Sequence, residues 1–74
     1  MTGSPRARRE LDLIGVPCPL NWVRTRLALE AMSVGEELAV RLDPGEPRDS
    51  VPRSAREDGH LVRENDGIVT IVRR

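Results

Sequence analysis

Leu11-Asp12-Leu13-Ile14-Gly15-Val16-Pro17-Cys18-Pro19 is the stretch on which the reading of this chain turns. Residues 10–14 alternate polar and apolar, the pattern of a half-buried strand. Gly15 to Pro17 then form a turn. Pro19 suits the first position of a helix, because the N–H it lacks would have no partner there. A strand therefore gives way to a helix within a few residues, and the only cysteine of the chain lies at the junction.

Working downstream, Leu20, Val23, Leu27 and Ala31 recur at helical spacing and form one apolar face. Gly35 ends that helix. Residues 37–42 read as a second strand, with Leu38, Val40 and Leu42 on one side. Asp43-Pro44-Gly45-Glu46-Pro47 is a loop by composition. Asp49 or Ser50 is placed to cap a second helix running to about Asp58. That placement confines Pro52 to its first turn, since a proline deeper in removes a hydrogen bond and clashes with the preceding turn. Residues 60–64 form a third strand. Asn65-Asp66-Gly67 is a hairpin turn, and residues 68–72 are a fourth strand. The order β-α-β-α-β-β predicts an α/β (α+β) fold, a four-stranded mixed sheet with two helices on one face.

Upstream, residues 1–9 are rich in Arg, Gly, Ser and Pro and predict a frayed N-terminal tail. The folded domain is then residues 10–74. Arg6, Arg8 and Arg9 have no aromatic neighbours on which bases could stack, so direct nucleic-acid binding is not expected.

With 74 residues the chain holds one small domain. Its core must be aliphatic, because Phe and Tyr are absent and Trp22 is the only aromatic residue. Basic and acidic residues balance at twelve each, so no overall field draws in nucleic acid or membrane. Every basic residue except His60 is arginine, which excludes a Schiff-base lysine and a P-loop lysine. No run is long enough to span a membrane, and the N-terminus lacks the apolar core of a signal peptide. A single cysteine cannot form an internal disulfide, which points to a reducing compartment and a cytoplasmic location.

A free cysteine is most often a small buried hydrophobe. The position of Cys18, between Pro17 and Pro19 at a helix start, argues for a reactive thiol instead. Helix N-termini present unpaired N–H groups and the positive end of the macrodipole, and both favour a thiolate or persulfide anion. Other chemistries fit less well. His60 has no evident partner to orient it as the base of a Cys-His hydrolase. One Cys and one His fall short of a structural zinc site, so no metal and no cofactor are expected. A dithiol oxidoreductase needs a second cysteine where Asn21 stands. A carrier fits better than a self-contained catalyst. Trp22, Arg24 and Arg26 are candidates for partner docking, with Trp22 either exposed as an anchor or half-buried over the sheet edge.

The same residues carry a family resemblance. Leu11-Asp12-Leu13-Ile14-Gly15-Val16-Pro17-Cys18-Pro19 resembles the signature of the TusA-type, or SirA-like, sulfur carriers. The resemblance continues through Val23-Arg24-Thr25, Leu27-Ala28-Leu29-Glu30, Gly35-Glu36 and Ala55-Arg56-Glu57-Asp58-Gly59-His60. It implies a two-layer sandwich and a sulfurtransferase-like role. Cys18 would accept sulfane sulfur as a persulfide from a cysteine desulfurase or a rhodanese. It would relay that sulfur to an acceptor protein in tRNA thiolation, molybdenum-cofactor enzymes or sulfur oxidation. Pro17, Pro19 and Asn21 would support the site. Asn21 departs from the family's Cys-Pro-x-Pro pattern, in which a second proline stands at this position. Its extra N–H is a potential donor to the sulfur anion, and a solvated first-turn side chain is the simpler expectation. Two other classes stay open: a noncatalytic interaction or regulatory module that keeps the fold, and a redox-sensing thiol.

Overall fold

The computed structural model describes residues 8–74, and the expected tail over residues 1–7 lies outside them. The elements follow the expected order: β1 (Arg8–Asp12), α1 (Leu20–Glu30), β2 (Glu37–Arg41), α2 (Glu46–Glu57), β3 (Leu61–Asn65) and β4 (Ile68–Val72). They form a four-stranded mixed sheet in the order β1-β2-β4-β3. β1 runs parallel to β2, as a helical crossover requires, and the other two pairings are antiparallel.

Register follows from the alternation of apolar residues. Val40 pairs with Val69 and Leu38 with Ile71, so these four side chains share the face that the helices cover. All four are buried, together with Leu13, Leu42, Val51 and Ala55. Burying each such aliphatic side chain is worth about 1.5–3 kcal/mol for Val or Leu, and the core is aliphatic throughout. The opposite face carries Arg8, Glu10, Asp12 and Arg41, and it remains open to solvent. Asp66 and Gly67, with φ of 51° and 78°, make the two-residue hairpin between β3 and β4.

Several boundaries differ from the sequence reading; β1, for one, ends at Asp12 rather than at residue 14. Arg8 and Arg9, assigned by composition to the tail, are the first residues of β1 and pair with Glu37 and Leu38. The parallel partner strand, rather than local propensity, extends β1 backward. β3 starts at Leu61 rather than His60. α2 begins at Glu46, not at Asp49 or Ser50, and carries a proline in its first turn. Pro47 is thus a helix-start proline, and Glu46 and Asp49 place negative charge near the positive helix end.

Pro52 consequently lies inside α2 rather than in its first turn. An interior proline costs on the order of 3 kcal/mol. Its ring is fully buried, which offsets part of that cost.

The larger correction concerns α1. The stripe Leu20, Val23, Leu27 and Ala31 does not face the core. Leu20 is 43% exposed, Val23 44% and Leu27 60%. The buried side is Asn21, Thr25 and Leu29, continued by Met32 beyond the helix end. Thr25 is buried on this side and Ala28 is half-buried against the core. The Thr25 hydroxyl donates to the Asn21 carbonyl at 2.8 Å, so it enters the interior already paired. Leu29 and Met32 are therefore core residues.

No helix among the described residues is long and apolar enough to cross a membrane.

Candidate functional site

The site begins with two aspartates. Asp12, at the end of β1, accepts a hydrogen bond from the Ile14 N–H through Oδ1 at 3.0 Å, which bends the chain out of the strand. Asp43 follows β2 and accepts from the Gly15 N–H through Oδ2 at 2.7 Å. Gly15 has φ of +81°, a conformation other residues adopt only under strain. The Val16 N–H closes the turn onto the Leu13 carbonyl at 3.0 Å. Leu13 itself is anchored, buried in the core with its N–H bonded to the Arg41 carbonyl at 2.9 Å. The turn ahead of the cysteine is thus tied to the end of β1 and to the loop after β2.

Cys18 emerges from this turn as a free, exposed cysteine. The Cys18–Pro19 peptide is cis. Pro19, expected as the first helical residue, occupies the N-cap of α1, one position before Leu20. The N-cap makes no side-chain capping bond, and the first turn carries no acidic residue. The amides at this helix start are mostly engaged. The Asn21 N–H donates to the Pro17 carbonyl at 3.0 Å and the Val23 N–H to the Pro19 carbonyl at 3.1 Å. The Trp22 N–H donates to Asn21 Oδ1 at 2.6 Å. The Leu20 N–H has no acceptor among the described residues.

Asn21 is neither solvated nor a donor to the sulfur through its N–H. It is fully buried, and its N–H is held by Pro17. Its side-chain oxygen caps the amide of Trp22, while Nδ2 lies buried without a partner. A proline in this place could make neither bond, so the chain fastens its helix start by polar contacts where the family pattern has a ring. Nothing in the sequence signalled that burial.

The remaining candidates separate. Trp22 is half-buried and packed against the core. Arg26 pairs with Glu30 at 3.2 Å. Arg24 is exposed and has no ion pair among the described residues. His60 accepts from the Arg74 N–H at 3.2 Å and lines a hollow of about 170 Å³ with Leu29, Glu30 and Arg73. That hollow lies at the far end of α1 from Cys18, roughly 16 Å away for 11 helical residues. The two side chains cannot form a nucleophile–base pair. A larger concavity, about 430 Å³, lies on the open sheet face between Arg8, Glu10, Asp12, Ala39, Arg41 and Ile68, and Cys18 does not line it. A cysteine on an exposed corner, lining neither of these hollows, suits contact with another macromolecule rather than with an enclosed small substrate.

A family model described as sulfurtransferase TusA matches residues 9–74. A candidate sulfur carrier protein from Archaeoglobus fulgidus is 41% identical over 56 residues, covering 76% of this chain. The match spans 64% of that relative's own length, a little under two thirds. A candidate sulfur carrier protein from Neisseria meningitidis serogroup A is 34% identical over 65 residues, covering 84% of this chain and 88% of its own. Among solved structures, a SirA-like protein from Desulfitobacterium hafniense superposes with a TM-score of 0.73 at 25% identity, over 89% of this chain and 96% of the other.

Proposed function

Because the chain belongs to the TusA sulfurtransferase family, we propose that it carries sulfane sulfur as a persulfide on Cys18 and relays it from a donor protein to an acceptor protein. The observation that carries the reading is the placement of Cys18. It is exposed at the head of α1, on a turn fastened by Asp12 and Asp43.

The transfer balances without an added oxidant or reductant. The Cys18 thiolate attacks the outer sulfur of a donor persulfide, R–S–SH. The donor's S–S bond breaks, its cysteine leaves as a thiolate, and a new S–S bond forms on Cys18, the proton staying on the transferred sulfur. Deprotonated, that outer sulfur is an anion at a helix N-terminus, where the macrodipole and the Leu20 N–H favour negative charge. An acceptor nucleophile then repeats the displacement, and Cys18 leaves as the thiolate. Exposure serves both steps, since each needs a partner's sulfur at bonding distance.

Pro17, Pro19 and Asn21 support this site by fixing where α1 begins. Residues 8–74, from the start of β1, are the working unit, and a reducing cytoplasm suits a carrier whose thiol must stay free. The donor class is a cysteine desulfurase or a rhodanese.

The test is sulfur relay from radiolabelled cysteine through a desulfurase. Label is expected on the protein, released by a thiol reductant and absent from Cys18→Ser. Equal label on Cys18→Ser would refute the assignment.

A further inference from the structure

Asn21 is enclosed at the head of α1 in a way that folding alone does not explain. It is 0% exposed, its Oδ1 accepts from the Trp22 N–H at 2.6 Å, and its Nδ2 has no partner among the described residues. An orphaned buried donor destabilises a fold, and an apolar side chain of the same shape would avoid it. The carboxamide cannot turn over to relieve the orphan, because Nδ2 would then face the Trp22 N–H donor to donor. The same bond fixes where the carboxamide lies. N–H groups in a helix point toward its N-terminus, so an oxygen that accepts from Trp22 lies in the mouth of α1, among the first amides. That is where an anion on Cys18, two residues before Leu20, gains from the helix. The Asn21 N–H is held by the Pro17 carbonyl at 3.0 Å and the Val23 N–H by the Pro19 carbonyl at 3.1 Å. Of the amides of residues 20–23, that of Leu20 alone lacks an acceptor among the described residues.

We infer that Asn21 is a positioning residue for the reaction at Cys18: by occupying the Trp22 N–H it withholds one helix-start donor from the sulfur, leaving an anion that is less stabilised and therefore more nucleophilic. The inference rests on the sulfur-carrier reading, in which that anion attacks a donor persulfide. Stabilising a thiolate makes it more abundant, but its intrinsic reactivity falls in step, with a Brønsted slope of about 0.4–0.5. Freeing the Trp22 amide would ease ionisation about tenfold, the lower end for a hydrogen bond to a charged group. It would make each thiolate about threefold less reactive. The charged groups of this corner, Asp12 of β1, Asp43 after β2 and Arg24 of α1, are untouched by a change at residue 21.

The experiment follows alkylation of Cys18, the only thiol of the chain, by iodoacetamide at about pH 6 and about pH 10, on either side of the ordinary thiol range. The thiolate displaces iodide and forms a C–S bond, so no sulfur donor is involved. Asn21→Leu, which keeps the bulk and loses the oxygen, is expected to react about threefold faster than the parent protein at the lower pH and about threefold slower at the higher. Asn21→Pro, which installs the ring of the family pattern, is expected to show the same crossing. Thr25→Val removes a hydroxyl from the same buried face without touching the Trp22 amide, and is expected to react at the parent rate at both. Hydrogen exchange in the parent protein is expected to protect the Trp22 amide and not the Leu20 amide. Parent-like rates at both pH values for a folded Asn21→Leu or Asn21→Pro would overturn the inference. A change of the same sign at both would also overturn it, since access and not the anion would have changed, as would an equal crossing in Thr25→Val. So would equal exchange of the two amides, a result that needs no variant. Failure of the parent protein to load sulfur from a desulfurase, with the crossing intact, would instead overturn the sulfur-carrier reading.

Discussion

The Asp43 carboxylate holds the Gly15 amide at 2.7 Å across 28 residues of sequence. That bond joins the loop after β2 to the turn that presents Cys18. The position of the thiol is therefore set by long-range structure and not by the turn alone. Replacing Asp43 by Ala should destabilise the protein by about 1 kcal/mol, the usual net worth of a hydrogen bond. Asp43→Asn, which keeps an acceptor oxygen, should lose less. Urea titration followed by the fluorescence of Trp22, the only aromatic residue, reads both. Identical midpoints for Asp43→Ala and the parent protein would show that the turn stands without this tie.

Gly15 and Gly67 separate backbone strain from crowding. Both have positive φ, +81° and +78°. A Cβ on Gly15 would meet nothing within 4 Å, whereas one on Gly67 would lie 2.8 Å from Nη2 of Arg48. Gly15→Ala should cost about 1–2 kcal/mol from the backbone alone. Gly67→Ala should cost more, because the Arg48 guanidinium must move while its Nε is bonded to the Leu42 carbonyl at 3.1 Å. Combining Gly67→Ala with Arg48→Ala should cost less than the sum of the two single changes, as a double-mutant cycle would measure.

Arg73 closes the other end of α1. Its guanidinium donates to the carbonyls of Leu29 at 3.0 Å and Glu30 at 3.2 Å, and also to that of Met32. Those of Leu29 and Glu30 are carbonyls that a helix C-terminus leaves without intrahelical partners. Arg73→Ala should destabilise by roughly 1–2 kcal/mol, and amide exchange in the last turn of α1 should accelerate. All three bonds come from one nitrogen, Nη1, so Arg73→Lys, whose ammonium also donates from one nitrogen, should recover much of the loss.

The element order was legible because each element carries its own punctuation. Gly15, Gly35, Gly59 and Asp66-Gly67 mark the breaks, and the alternation of Leu38 with Val40 and of Val69 with Ile71 marks the sheet. The facing of α1 was not legible. Two stripes of that helix repeat at helical spacing, and hydrophobicity favours the one that lies outside. The fold instead buries Thr25 and half-buries Ala28 against the core. The start of α2 was misread because Pro47 signals a loop and a helix start equally well. At the site, the position of Cys18 at the head of α1 could be read from Gly15, Pro17 and Pro19. The burial of Asn21 could not, because its partners are backbone groups and its enclosure comes from packing.

Cys18 is exposed and lies outside the buried core. Cys18→Ser should therefore unfold within about 0.5 kcal/mol of the parent protein, as exposed substitutions usually do. The urea midpoint checks this. A large loss would mean that the variant cannot serve as a folded control for sulfur loading.

The most direct test of sulfur carriage is the intact mass of the protein after incubation with a cysteine desulfurase and cysteine. The account predicts a gain of one or more sulfur atoms that a thiol reductant removes, that maps to the peptide containing Cys18, and that Cys18→Ser lacks. No gain, with Cys18 still open to alkylation, would contradict it.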